Sequence, residues 1–228
     1  MIPPVASHPR AKFITFEGLD GCGKSTQLDK LATALRKHGL EVVITREPGG
    51  TPTAEKIRRL LLDAQTAALA PMAELALMFA ARSQHIKEVI QPAVSAGQIV
   101  LCDRFTDSSE AYQGGGRKLG SEPVLALHRI VCGDLWPDLT ILMDSDVATS
   151  VERARRRNRA KGDSEIDESR FEKENRAFFA RVHATYLAIA KREPQRVVVV
   201  NARGTPEETH RKIMEGVRGR LKLVAKTA

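Results

Sequence analysis

The octapeptide GLDGCGKS at residues 18–25 lies between a strand-like run, KFITF at 12–16, and a stretch with Leu28, Leu31, Ala32 and Leu35 at helical spacing. It satisfies the pattern GxxxxGK[ST], which works only where a strand runs through a tight loop into a helix. That order constrains the whole chain, because it commits the first thirty or so residues to an α/β unit. Its glycines let the backbone curl and turn several N–H groups inward. Those donors and the start of the following helix cradle an anionic phosphate. In such a loop, running from Gly18 through Leu19, Asp20, Gly21, Cys22 and Gly23 to Thr26, Lys24 reaches the β- and γ-phosphates of a nucleotide and Ser25 ligates Mg²⁺.

The rest of the sequence continues the alternation. Further strands are expected at 41–45, 98–102, 139–143 and 196–200. Helices are expected at about 53–63, at 72–96 beyond a break at Pro71, over much of 169–191, and from Pro206. Strands separated by helices imply a parallel sheet covered on both faces. The expectation is therefore an α/β fold in three layers, a five-stranded parallel sheet flanked by helices, in one domain over 1–228, with residues 1–11 as a loose tail. At 42% the hydrophobic residues suffice for a core, and with 4% aromatics that core is mostly aliphatic. Three cysteines without metal-type spacing read as reduced core residues. The longest purely apolar stretch, 75–81, is far too short to span a membrane, and residues 1–10 lack the apolar run of a signal peptide. A cytoplasmic protein without membrane partners is expected.

In open parallel sheets ligands bind beyond the carboxyl ends of the strands, and unusual residues crowd there after four of the five expected strands. REPGGT follows the second, with Glu47 and Pro48; Asp103 and Arg104 follow the third, ahead of Ser109, Tyr112 and Gln113. Arg104 and Arg58 are candidates to clamp a phosphate in fork geometry, and Asp103 is a candidate to orient Mg²⁺ through water. Phe79 and Arg82, three apart on one expected helix, share a face, so a ring can stack on a base while the guanidinium donates to its carbonyl edge. Ser109 and Gln113, four apart, can face the same base.

TREPGGT at 45–51, LMFAAR at 77–82 and DRFTDSSEAYQGGGR at 103–117 together resemble the bacterial thymidylate kinases, and the likeness runs from about Phe13 to the last helix. The resemblance implies ATP and dTMP as substrates, Mg²⁺ as cofactor, dTDP as product toward dTTP for DNA replication, and a homodimer. It further implies that Phe79 stacks on thymine, that Arg82 bonds its O4, and that Tyr112 lies near the sugar. It places Asp20 beside Arg104 or the sugar 3′-hydroxyl and gives Glu47 a supporting role.

Arg153, Arg155, Arg156, Arg157, Arg159 and Lys161 form a like-charge cluster. Such a cluster repels itself, so a solvated, mobile lid is expected at about 153–168, closing when an anion arrives. Positions 19–22 contain no arginine, so the chain is similar to the branch of the family whose catalytic arginines sit in the lid, with Arg153 and Arg157 best placed. The net charge of +8 suits anionic partners in general. Other nucleotide kinases, a DNA-acting ATPase and a non-catalytic nucleotide sensor remain alternatives at this level. A scarcity of aromatic residues to stack on exposed bases argues against nucleic acid, and no Asn is followed by Lys as GTPase base recognition requires.

Overall fold

The computed structural model describes residues 12–66, 69–160, 170–171 and 174–221. The expected tail at 1–11 and positions 161–168 of the expected lid lie outside the described residues. Five short runs rich in β-branched and aliphatic residues form the sheet: β1 (Phe13–Glu17), β2 (Val42–Arg46), β3 (Ile99–Asp103), β4 (Leu139–Asp144) and β5 (Val197–Asn201). All pairings are parallel, in the order β2-β3-β1-β4-β5.

Side-chain alternation sends each strand's residues to two different helix layers. Ile14, Phe16, Leu101, Ile141 and Met143 pack with Leu28, Leu31 and Leu35 of α1 (Lys24–Lys37) and with Ile213 and Val217 of α9 (Pro206–Leu221). On the other face Phe13, Val100 and Cys102 meet Leu75 and Phe79 of α3 (Pro71–His85), Ala93 of α4 (Gln91–Ser95) and Val124 of α6 (Ser121–Cys132). Leu142 and Val197 meet Phe178, Phe179 and Val182 of α8 (Arg176–Arg192) there. The three cysteines are buried and free. No helix among the described residues is long and apolar enough to cross a membrane.

The caps of α2 (Pro52–Leu62) follow from sequence: Thr51 Oγ1 accepts from Ala54 N–H at 3.1 Å, and Pro52 opens the first turn. Pro71 likewise opens α3 instead of breaking a helix. The expected helix at 72–96 contains a π-helical turn, Ile86–Ile90, between α3 and α4. α6 was not expected at all. Neither was the helical strap made of α5 (Thr106–Ser109) and the π-helical Glu110–Gly116, because three successive glycines argue against helix. Packing overrides that propensity. A Cβ on Gly115 would lie 2.0 Å from Thr185 Oγ1, and one on Gly116 would lie 2.5 Å from the Phe178 ring, so the strap approaches α8 as closely as only glycine permits.

The basic cluster differs from expectation. Arg153, Arg155, Arg156 and Arg157 stand on a helix, α7 (Val147–Ala160), and not in an irregular segment. Arginine is a good helix former, these four are exposed, where solvent weakens their repulsion, and Ser150 and Ala154 are buried beneath them.

Candidate active site

The loop at 18–25 bends back over the sheet at its carboxyl edge. Gly18, Gly21 and Gly23 have φ of 134°, 80° and 98°, a region L side chains rarely enter. Space also excludes them: a Cβ on Gly21 would sit 2.2 Å from Ser150 O, where α7 covers the loop, and 3.1 Å from Arg153 Cβ. Lys24 is buried, and its Nζ donates to Gly18 O at 3.2 Å and Leu19 O at 3.0 Å. Burial pushes the Cys22 thiol up, so it remains a small neutral filler beside Gly18.

Asp103 closes β3 directly opposite the start of α1. Its Oδ2 accepts from Ser25 Oγ at 3.4 Å, while its Oδ1 is buried without a hydrogen bond and lies 4.0 Å from Lys24 Nζ. An unsatisfied carboxylate oxygen beside a serine hydroxyl suits Mg²⁺, which takes hard oxygen donors and keeps most of its shell as water and phosphate. Among the described residues no cluster of three or more His, Cys, Asp or Glu could hold a metal alone.

A cleft opens beside the loop. Its lining includes Asp20, Glu47, Pro48, Arg58, Arg82, Arg104, Ser109, Tyr112 and Gln113, nine of the ten residues expected at the second nucleotide. Arg104 stands at its centre with φ 74°, a left-handed conformation uncommon outside glycine. Its Nη1 donates to Ser108 Oγ (2.9 Å) and Tyr186 OH (3.1 Å), its Nη2 to Asp20 Oδ1 (2.8 Å) and Tyr112 OH (3.3 Å). Burial alone would raise the Asp20 carboxyl; Arg104 and Lys24 outweigh it and hold the group well below the usual carboxylate range. Arg58 reaches the same wall through Pro48 O at 3.0 Å.

Arg82 is 2% exposed. Its Nε donates to Glu47 Oε2 at 2.6 Å and its Nη2 to Ser109 Oγ at 3.0 Å, and its Nη1 has no partner. Glu47 Oε1 is paired with His85 Nδ1 at 2.9 Å, and His85 Nε2 with Thr45 Oγ1 at 2.5 Å. Glu47 thus supports the arginine from behind. Gln113 Nε2 is anchored on Glu74 Oε1 at 2.8 Å, a carboxylate that also receives Arg117 and Arg170.

Phe79 is the exception. It is 1% exposed, belongs to the core cluster around β3 and does not line the cleft; the Arg82 guanidinium lies 4.5 Å over its ring. The residue that joins Arg82 in the cleft from that helix is Met78, four positions before it instead of three. Both spacings place residues on neighbouring helix faces, and the aromatic ring drew the expectation to the wrong neighbour. Stacking of Phe79 on a base is corrected accordingly. Phe79→Ala is expected to cost about 3–5 kcal/mol of stability with little effect on nucleotide affinity. Met78→Ala is expected to weaken the acceptor nucleotide several-fold at a smaller stability cost. Melting curves and KM values on the two variants check both statements.

Sequence reasoning also missed Leu62, Phe105, Ser108 and Phe171 in the lining. Phe105 and Ser108 lay inside the quoted motif, whereas Leu62 and Phe171 carried no signal. Arg157 reaches the same cleft and bears electrostatically on Asp20. Asp20 therefore belongs to both places at once, as a residue of the phosphate loop and of the cleft wall.

A family model described as thymidylate kinase matches residues 16–213. The thymidylate kinase of Trichlorobacter lovleyi is 48% identical over 209 residues, 92% of this chain and 98% of that protein. That of Pseudomonas syringae pv. tomato is 52% identical over 190 residues, 83% and 87% of the two chains. Among solved structures, thymidylate kinase from Ehrlichia chaffeensis superposes with a TM-score of 0.73 at 32% identity, covering 92% of this chain and 99% of that one. With its phosphate loop, its cleft and these relatives in agreement, the chain belongs to the thymidylate kinase family.

Proposed function

We propose a division of labour by which this chain performs the reaction of its family, phosphorylation of dTMP to dTDP by ATP. The phosphate loop holds ATP, and Lys24 contacts the β- and γ-phosphates. Ser25 and Asp103 hold Mg²⁺, which when bound neutralises charge on the phosphate oxygens. Arg104 and Arg58 clamp the phosphate of dTMP, Arg82, Ser109 and Gln113 read the thymine edge, Met78 packs against the base and Tyr112 lines the sugar. The attacking oxygen is already anionic near neutral pH, since a phosphomonoester loses its second proton at about pH 6, so no general base is required. The barrier lies in bringing two polyanions together in line, and positioning with cationic stabilisation lowers it. Arg153 and Arg157, on the helix that covers the loop, supply that charge as a lid.

The observation that carries the reading is Asp20, shared by the loop and the cleft, with Lys24 on one side and Arg104 on the other. Phosphorylation assayed across the common monophosphates is expected to favour dTMP; preference for CMP or AMP would overturn the assignment. We place the enzyme in the cytoplasm and assemble it as a homodimer. Leu60 of α2 and Met72 of α3 are apolar yet 45% and 49% exposed, as residues buried only between subunits would be. Sedimentation at the 25.1 kDa of one chain would remove the dimer.

A further inference from the structure

Behind Arg104 lies a buried carboxylate that the reaction above does not use. Glu17, the last residue of β1, is 0% exposed. Its Oε1 accepts from Phe105 N–H at 2.7 Å, and its Oε2 faces Ser108 Oγ at 2.5 Å and Tyr186 OH at 3.3 Å. Those two hydroxyls are 2.7 Å apart, and both accept from Arg104 Nη1.

Each hydroxyl has one proton and two lone pairs. With Glu17 ionised, Ser108 donates to Oε2 and Tyr186 donates to Ser108 across 2.7 Å, which leaves a lone pair on each hydroxyl facing the guanidinium. Protonating Glu17 places a third proton among the three oxygens and removes the charge that draws the hydroxyl protons inward. Oε2–H then donates to one of the two hydroxyls, the order of protons along the chain is no longer fixed, and Arg104 loses the anion behind its two acceptors.

We propose that Glu17 is a positioning residue for the acceptor step: as the anion it orients Ser108 and Tyr186 so that both hold Arg104 where the acceptor phosphate docks. The inference rests on the reading of Arg104 as the phosphate clamp. The charged and titratable groups facing Glu17 are Asp107 from α5, Arg104 and Cys102 at the end of β3, Tyr186 from α8 and Arg196 ahead of β5. Burial first and Asp107 second push the Glu17 carboxyl up to about 8, against Ser108, Arg104 and the Phe105 N–H, which pull it down. The positioned form is therefore gained as pH rises through that value. The acceptor phosphate's own second ionisation, at about pH 6, lies below the window and is common to every variant.

The test is steady-state dTMP phosphorylation by wild type, Glu17→Gln, Ser108→Ala, the double variant and Arg104→Lys across that pH range. At the alkaline end Glu17→Gln is expected to raise the KM for dTMP by about tenfold, the coupling typical of groups in one hydrogen-bonded network. The KM for ATP stays within about twofold. The gap should close toward neutral pH, where wild-type Glu17 is itself protonated, and Ser108→Ala should add little to Glu17→Gln because both break one path. A gap that stays constant with pH, or an equal rise in the KM for ATP, would overturn the proposal. Arg104→Lys separates the two readings, since it replaces the fork by a point charge. An unchanged KM for dTMP in that variant removes the clamp itself. A raised KM there, with Glu17→Gln silent, removes only the role of Glu17. Should Glu17→Gln not fold, Tyr186→Phe, which deletes one acceptor of Arg104 and keeps the ring, is expected to raise the dTMP KM several-fold at alkaline pH. No rise would refute the relay.

Discussion

Replacing Lys24 by alanine is expected to lower kcat for dTMP phosphorylation by on the order of 10³-fold, the scale on which removing a preorganised donor to transition-state charge is felt, while the protein stays folded. The loop geometry supports both halves of that expectation. Lys24 Nζ rests on two carbonyl oxygens of its own loop, Gly18 O and Leu19 O, and lies 4.0 Å from Asp103 Oδ1. It is therefore held at the point where the loop turns, with no need to search for its partner when a nucleotide arrives. Losing those two bonds costs about 1–3 kcal/mol, well within what a domain with a continuous core on both sheet faces tolerates. Single-turnover transfer measured beside a melting curve separates the effects. Near-normal turnover would take Lys24 out of the mechanism. An unfolded variant would mean that the buried ammonium is needed to hold the loop itself.

The parts legible in the sequence are those where local chemistry and tertiary context agree. Each strand was placed to within a residue, because β-branched runs bounded by Gly, Pro and charged residues leave few alternatives. The phosphate loop was legible because its glycines occupy backbone conformations that other residues avoid. Asp20, Glu47, Arg58, Arg82, Arg104, Ser109, Tyr112 and Gln113 converge on one cleft although they come from separate stretches of chain. The rule that ligands sit beyond the carboxyl ends of parallel strands anticipates this convergence.

What escaped has identifiable causes. The helical strap at 106–116 was invisible because its glycines are chosen for contact with Thr185 and Phe178, not for helix propensity. Met78 was passed over for the aromatic beside it, since a difference of one residue decides which helix face meets the ligand. The arginine cluster was expected to resist helix formation on charge alone, yet in solvent that repulsion is weak and Ala154 seats the helix on the loop. Glu17 gave no signal at all: a carboxylate at a strand end reads as a surface residue until a strap folds over it.

Arg82→Ala carries the second large effect, and the structure changes what is expected of it. A surface arginine could be truncated with loss of nucleotide contact only. Arg82 is instead buried against Glu47, and breaking a buried pair by deleting one partner leaves the other charge stranded, at about 3–5 kcal/mol. The variant should therefore both melt earlier and bind dTMP more weakly. The binding loss is expected at about 10- to 100-fold in KM, the worth of one charge-assisted bond from the unpartnered Nη1. The two losses separate in the double variant Arg82→Ala/Glu47→Gln. Removing the stranded carboxylate should restore part of the stability, because the amide introduced in its place can still meet His85 without a buried charge. It should restore none of the dTMP affinity, because the Arg82 donor to the base edge is still missing. If the double variant regains dTMP binding along with stability, Arg82 is a structural ion-pair partner and the base is read elsewhere in the cleft. If KM stays high while the melting temperature recovers, recognition of the base by Arg82 stands apart from its role in the core.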